Sequence, residues 1–282
     1  MFMPRTWFIT GCSTGFGRML SEALIELGEN VIATARRPET LEDIGKNAED
    51  QILRLPLDVT NDMQIHDAVA AGLERFGGID VLVNNAGYGY FATQEEGELA
   101  EVRKMYETNV FGLIAMSQGV IPHMRSKGSG VIVNLSSMAG RMATPRGGFY
   151  QSSKWAVEAI SEAQYLELSS FGIRVIVVEP GAYDTDFGPR SAKRAPAEED
   201  PKSPYAEIRK LWIANASRDL FPYRQNPLEV IRAILFTVDE EKPFVRLPLG
   251  QDAVHVVTQR QELGMDGFVE WMREVYHAEA EG

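Results

Sequence analysis

Tyr150 and Lys154 stand four residues apart at the start of a segment with helical periodicity, so their side chains share one helix face. Ser137 lies shortly before them, at the end of an apolar, β-branched run that reads as a strand. A phenol ionises near pH 10 and is a poor acid–base catalyst at neutrality, but an adjacent ammonium favours the phenolate. Far upstream, Thr10-Gly11-Cys12-Ser13-Thr14-Gly15-Phe16-Gly17 leads from an apolar run into a helical one. Phosphate is held by backbone N–H groups at a helix N-terminus. Side chains at Gly11, Gly15 or Gly17 would block the tight turn, the approach of a pyrophosphate, or close helix packing. A lone Tyr–Lys pair is ordinarily a core aromatic beside a solvated lysine, and glycine turns are common. Both motifs in one chain, with the glycines between a first strand and a first helix, outweigh those bland readings.

Something must bring residue 15 to residue 150. Apolar runs predict strands at 6–10, 30–35, 52–57, 81–84, 130–135, 173–179 and 244–247, and helical spacing predicts helices at 18–27, 62–76, 98–126, 151–170 and 227–238. Strands this continuously apolar are covered on both faces, and their alternation with helices predicts an α/β fold: a Rossmann-like, doubly wound parallel sheet of about seven strands with helices on both faces. The chain reads as one domain over 1–282. Pro180, Pro189, Pro196, Pro201 and Pro204 break the pattern, which predicts a long loop at about 181–225, either a substrate lid or a tolerated insertion. A C-terminal extension occupies about 252–282, in which Phe268, Trp271, Met272, Val275 and Tyr276 make one apolar stripe that packs on the domain or on a partner.

The spacing Thr-Gly-x-x-x-Gly-x-Gly, together with Asn134-Leu135-Ser136-Ser137 and Tyr150-Gln151-Ser152-Ser153-Lys154, resembles the short-chain dehydrogenase/reductase family. Leu57-Asp58-Val59 resembles its adenine-contacting segment, Asn84-Asn85-Ala86-Gly87 its fourth-strand motif, and Thr108-Asn109-Val110 its helix-borne asparagine. Pro180-Gly181-Ala182-Tyr183-Asp184-Thr185 resembles its stretch after strand six. The resemblance implies that Ser137 polarises a carbonyl, Tyr150 protonates its oxygen, Lys154 lowers the tyrosine pKa and holds the nicotinamide ribose, and Asn109 holds a relay water. It likewise implies backbone contact from Tyr183 to the carboxamide and a phosphate contact from Thr185. Ser136 competes with Ser137, but neighbours on a strand point to opposite faces, which selects Ser137.

The end of the second strand distinguishes the dinucleotides, since an acid there binds a free ribose hydroxyl and a base a 2′-phosphate. Ala35-Arg36-Arg37 offers no acid, and Arg36 with Ser13 suits the phosphate, so NADP(H) is expected. Otherwise these arginines are solvated surface charges.

With 44% hydrophobic and 24% charged residues and a net charge of −12, the 282-residue chain reads as globular and lacks the basic footprint of a nucleic-acid or anionic-membrane binder. Cys12 is the one cysteine and no long apolar span appears, so a cytoplasmic protein is expected. Cys12, His66, His123, His255 and His277 have no metal-ligand spacing, and no metal is expected. The implied reaction interconverts a carbonyl and an alcohol. Isomerisation or dehydration on the same fold, and an NADP-binding sensor without turnover, are the alternatives. Tyr88, Tyr90, Phe91, Met142, Phe187 and residues 205–212 are candidates to line a pocket for a bulky apolar substrate. Gly112, Ala156 and Ala159 are small candidates for the outward face of a homodimer interface.

Overall fold

The computed structural model of the chain describes residues 4–220 and 225–277. Along it run β1 (Thr6–Ile9), α1 (Gly15–Glu26), β2 (Asn30–Ala35), β3 (Ile52–Pro56), α2 (Asp62–Phe76), β4 (Val81–Asn84), β5 (Gly89–Phe91), α3 (Leu99–Tyr106), α4 (Gly112–Lys127), β6 (Gly130–Leu135), α5 (Gly148–Leu168), β7 (Ile173–Pro180), β8 (Ala192–Arg194), α6 (Ala206–Asp219), α7 (Leu228–Asp239), β9 (Phe244–Leu249) and α8 (Gln251–His277).

Seven of the strands form one parallel sheet in the order β3-β2-β1-β4-β6-β7-β9. Strand residues alternate between two cores, as the pleat demands. Trp7, Ile9, Val31, Ala33, Val81, Val83, Val131 and Val133 point to α1 and α7, where they meet Leu20, Leu24, Val230 and Ile234. Phe8, Ile32, Leu82 and Ile132 point to the other face, against Ile65 and Val69 of α2 and Met116 and Val120 of α4. Both faces are buried, which is why these strands lack polar alternation. The strand order reverses between β1 and β4, and that switch point is where such sheets bind ligands.

Several expectations change on folding. The helix expected at 98–126 is interrupted by a wider turn over Glu107–Phe111, a π-type insertion that carries Asn109. Gly112 faces inward: a Cβ there would stand 2.6 Å from Val59 Cγ2, so its smallness serves packing against the sheet's edge loop and not an outer surface. The segment at 181–225 is not one irregular loop, since β8 pairs in parallel with β5 and α6 follows it. The C-terminal stripe packs on its own domain, where Phe268, Met272 and Tyr276 join Met138, Met142 and Leu220 in a separate apolar cluster. Among the described residues, no helix is long and apolar enough to cross a membrane.

Candidate active site

The strand ends open into one cleft of about 1030 Å³. Every expected site residue lines it except Gly17, which lies beneath, and Asn109, which lies behind.

At the switch point, Gly11 (φ +73°) runs so close to the β4 loop that a Cβ would stand 3.0 Å from Ala86 Cα. Asn85 Nδ2 locks that loop by donating to Thr10 O at 2.8 Å and Gly11 O at 3.0 Å, while Thr10 Oγ1 accepts the Ala86 N–H at 3.0 Å. Gly17 is held tighter still, its absent Cβ meeting Asn85 Nδ2 at 2.5 Å and Gly11 O at 2.7 Å. Gly15 (φ +61°) differs, because nothing lies within 4 Å of the position a Cβ would take. Thr14 caps α1 without a side-chain hydrogen bond and the first turn has no acid, so the positive helix end faces the cleft unneutralised. These features fit the diphosphate of a dinucleotide.

Beside that end, Arg36 is exposed on the cleft wall and has no ion pair among the described residues, whereas Arg18 is tied to Glu22 and Asp43. Asp58 is shaped by its own turn, Oδ1 accepting from Thr60 N at 3.0 Å and Thr60 Oγ1 at 2.8 Å, and it borders the cleft together with Val59. Asn84 turns away into the sheet, donating to Asn134 Oδ1 at 2.9 Å, and is structural.

At the other end, β6 delivers Ser137 and the first turns of α5 deliver Tyr150 and Lys154. Ser137 Oγ donates to Pro180 O at 3.3 Å and accepts the Ala139 N–H at 3.1 Å, and its hydroxyl lies beside the Tyr150 phenol. Ser136 faces the opposite way, toward Gly140 and Glu158. The Tyr150 ring is clasped between Phe91 and Phe187, each 5.6 Å away between centroids. Burial pushes its phenol up to about 12, while the neighbouring Ser137 hydroxyl pulls the other way. Lys154 Nζ lies 5.9 Å from the Tyr150 ring centroid and donates to Leu135 O at 2.6 Å. Burial lowers it to about 8, opposed by the charge of Glu158. Asn109 spends its side chain on structure: Oδ1 accepts the Tyr88 N–H at 3.0 Å, and Nδ2 donates to Tyr88 O at 2.8 Å and Ser153 Oγ at 3.1 Å.

The stretch after β7 is fixed from outside. Tyr183 turns its ring into the core against Phe16, 5.8 Å between centroids, and its hydroxyl meets Glu229 at 3.0 Å, so its backbone borders the cleft. Pro180, Gly181 and Thr185 line the same wall.

The cleft wall also carries the apolar side chains of Phe91, Met138, Met142, Phe187, Trp212, Ala216 and Tyr276, with Thr144, Arg146, Gln151 and Ser217 among them. Tyr90 does not line it but is buried, its hydroxyl accepting the Glu98 N–H at 3.0 Å. Trp212, Ala216 and Tyr276 come from α6 and α8. Trp212 ends the candidate range 205–212, of which it alone lines the cleft, and Tyr276 ends the C-terminal stripe; Ala216 has no signal, because α6 buries polar Arg209 and Asn215 where an amphipathic helix would show apolar residues. Arg209 bonds Glu96 Oε2 at 2.9 Å, and Asn215 Nδ2 donates to Tyr276 O at 3.2 Å.

A parallel sheet with a glycine-lined helix end at its switch point and a Ser–Tyr–Lys cluster at the carboxyl edge defines a dinucleotide-binding oxidoreductase. The chain belongs to the short-chain dehydrogenase family, whose model, described as short chain dehydrogenase, matches residues 5–195. It is 35% identical over 262 residues to the oxidoreductase BOA17 of Botryotinia fuckeliana (strain B05.10), covering 93% of this chain and 94% of that one. Among solved structures it resembles a short-chain dehydrogenase from Streptomyces avermitilis, with TM-score 0.84, 37% identity and coverage of 96% and 97% of the two chains. It also resembles one from Burkholderia cenocepacia J2315 in complex with NADP, with TM-score 0.73, 26% identity and the same 96% and 97% coverage.

Proposed function

We propose that the protein is an NADP(H)-dependent oxidoreductase that interconverts a ketone or aldehyde with its alcohol, Tyr150 serving as acid and base. The observation that carries this reading is the convergence of Ser137, Tyr150 and Lys154 at one end of a cleft whose other end is an open helix N-terminus. Gly15 and the backbone of α1 would hold the diphosphate, Arg36 and Ser13 the 2′-phosphate, Asp58 and Val59 the adenine side, the backbone at Tyr183 the carboxamide of the nicotinamide, and Thr185 a phosphate. The nicotinamide supplies or accepts the hydride and, when oxidised, adds positive charge near the phenol.

The protein's own part is proton handling. Ser137 donates to the substrate oxygen and aligns it with the phenol. Tyr150, with its phenol held high by burial, keeps the proton that a reduced substrate oxygen needs. Lys154, as ammonium, favours the phenolate left behind. Asn109 braces the Tyr88 backbone and Ser153 and so holds the helix bearing the pair to the cofactor loop. The cluster of large apolar side chains on the cleft wall suits a bulky apolar substrate. We also propose a homodimer and a cytoplasmic location, which suits the lone buried thiol of Cys12.

A panel of apolar and aromatic ketones, aldehydes and alcohols, assayed with NADPH and NADP⁺, tests this reading. Turnover with NADP(H) is expected. A protein that binds NADPH yet reduces nothing across the panel is instead a sensor.

A further inference from the structure

Lys154 is one of several buried charges, and the others are not needed to bind a dinucleotide. One turn beyond it on α5 lies Glu158, and one turn further Glu162. β7 brings Glu179, which is 1% exposed, β9 brings Arg246, and the turn after β6 brings Arg141. Arg246 Nε stands 3.1 Å from Glu158 Oε2 and 3.6 Å from Glu179 Oε1, and the same guanidinium pairs with Glu162. Arg141 stands 3.6 Å from Glu179, and Arg260 of α8 donates to the Arg141 carbonyl at 3.0 Å. Neither Glu179 oxygen has a hydrogen-bond donor in range among the described residues. Burial and the adjacent Glu158 push this carboxyl well above the usual carboxylate range. Glu158, one turn from Lys154 on the same helix and held by Arg246, is the carboxylate whose charge acts on the Lys154 ammonium.

That placement matters for which atom carries the shared proton. Tyr150 and Lys154 can hold one proton between them in two ways, as phenolate with ammonium or as phenol with neutral amine, and only the first can accept a proton from an alcohol. Glu158 is four residues from Lys154 and eight from Tyr150 along one helix, so its charge favours the ammonium more than it disfavours the phenolate. We propose that Glu158, anchored by Arg246, is a positioning residue for the acid–base pair: its carboxylate shifts the shared proton toward the Lys154 nitrogen and so raises the share of pairs in which the Tyr150 oxygen is free to act. The proposal rests on Tyr150 being the acid–base group, and it adds a residue that touches neither substrate nor cofactor.

Two isolated changes test it, Glu158→Gln and Glu158→Met. The second keeps length without a polar group, and Arg246 retains Glu162. Removing the charge makes the pair lose its first proton more easily yet leaves the remaining one more often on the phenol. In alcohol oxidation, the acidic limb of the kcat/KM profile is then expected to move down by about one pH unit while the plateau falls roughly tenfold. Glu158→Asp restores most of both. A residue that merely held the fold would lower the plateau without moving the limb. Independently of any substrate, the Lys154 side-chain signal in the ¹³Cε-lysine-labelled full chain, assigned with Lys154→Met, titrates about one unit lower in both variants. An unmoved Lys154 midpoint overturns the proposal whatever happens to turnover. Retained turnover in Tyr150→Phe would instead overturn the underlying reading, which the Lys154 titration does not depend on.

Discussion

Asp252, at the start of α8, accepts the backbone N–H of Ala182 at 2.6 Å and so ties the C-terminal helix to the loop after β7. The same carboxylate accepts from Gln225 Nε2 at 2.8 Å, and a Cβ on Gly181 would stand 1.9 Å from its Oδ1. The stretch that would meet the nicotinamide is thus shaped by a residue some 70 positions downstream. Leaving these donors without an acceptor costs about 1–3 kcal/mol. Asp252→Ala is expected to lower Tm by several degrees and to weaken NADPH binding, with Asp252→Asn milder on both. Thermal unfolding and a fluorescence titration check this, and wild-type values in both would show the anchor to be dispensable.

Arg36 is exposed on the cleft wall and has no ion-pair partner among the described residues, so its replacement breaks little else. Arg36→Ala is expected to weaken NADPH binding by about 1.5–3 kcal/mol, the range for charge-assisted hydrogen bonds, and to leave NADH binding nearly unchanged. Equal losses for both dinucleotides, or wild-type protein that binds NADH as tightly as NADPH, would sink the 2′-phosphate assignment.

Tyr150→Phe preserves the ring between Phe91 and Phe187 and removes only the hydroxyl. Cofactor affinity and fold are expected to survive, while kcat falls by about 10² to 10⁴, the usual contribution of general acid catalysis. Lys154→Met differs in kind. Loss of the ammonium raises the phenol's pKa, so alcohol oxidation, which needs phenolate, moves to higher pH, and cofactor affinity drops as well. Steady-state profiles of the two variants on one panel substrate distinguish these outcomes.

Trp212 and Tyr276 line the cleft, and Asn215 couples their helices. Trp212→Ala is expected to raise KM for a bulky apolar substrate by about 10-fold or more, the effect of about 1.5–3 kcal/mol of lost apolar burial, with kcat changed less. For the smallest substrates of the panel KM should hardly move. Uniform losses for small and large substrates would place the substrate elsewhere.

Ala159, Trp155 and Leu166 lie on the outer side of α5, and Phe111 lies on the helical run through Asn109; Trp155 is 39% and Leu166 74% exposed. A homodimer burying this face is expected. Light scattering that finds monomer alone across micromolar concentrations removes it, and Leu166→Glu should dissociate a dimer formed there.

What could be read from residue order alone is what depends on near neighbours. The glycine spacing after β1 places each backbone N–H at one helix end. Tyr150 and Lys154 meet because they are one turn apart, and all seven sheet strands stand close to their expected ranges because burial on both faces demands unbroken Val, Ile and Leu. The helix at 206–219 was hidden because its inward positions are Arg209 and Asn215, polar residues whose partners Glu96, Glu198 and Tyr276 are distant in sequence. Gly112 looked like an outward small residue because one-dimensional spacing does not say that Val59 lies against it. The ring of Arg141, Glu158, Glu179 and Arg246 has no motif either. It exists only where two strands, a helix and a turn meet, and burial at that meeting point strengthens the hold of the Glu158 charge on Lys154.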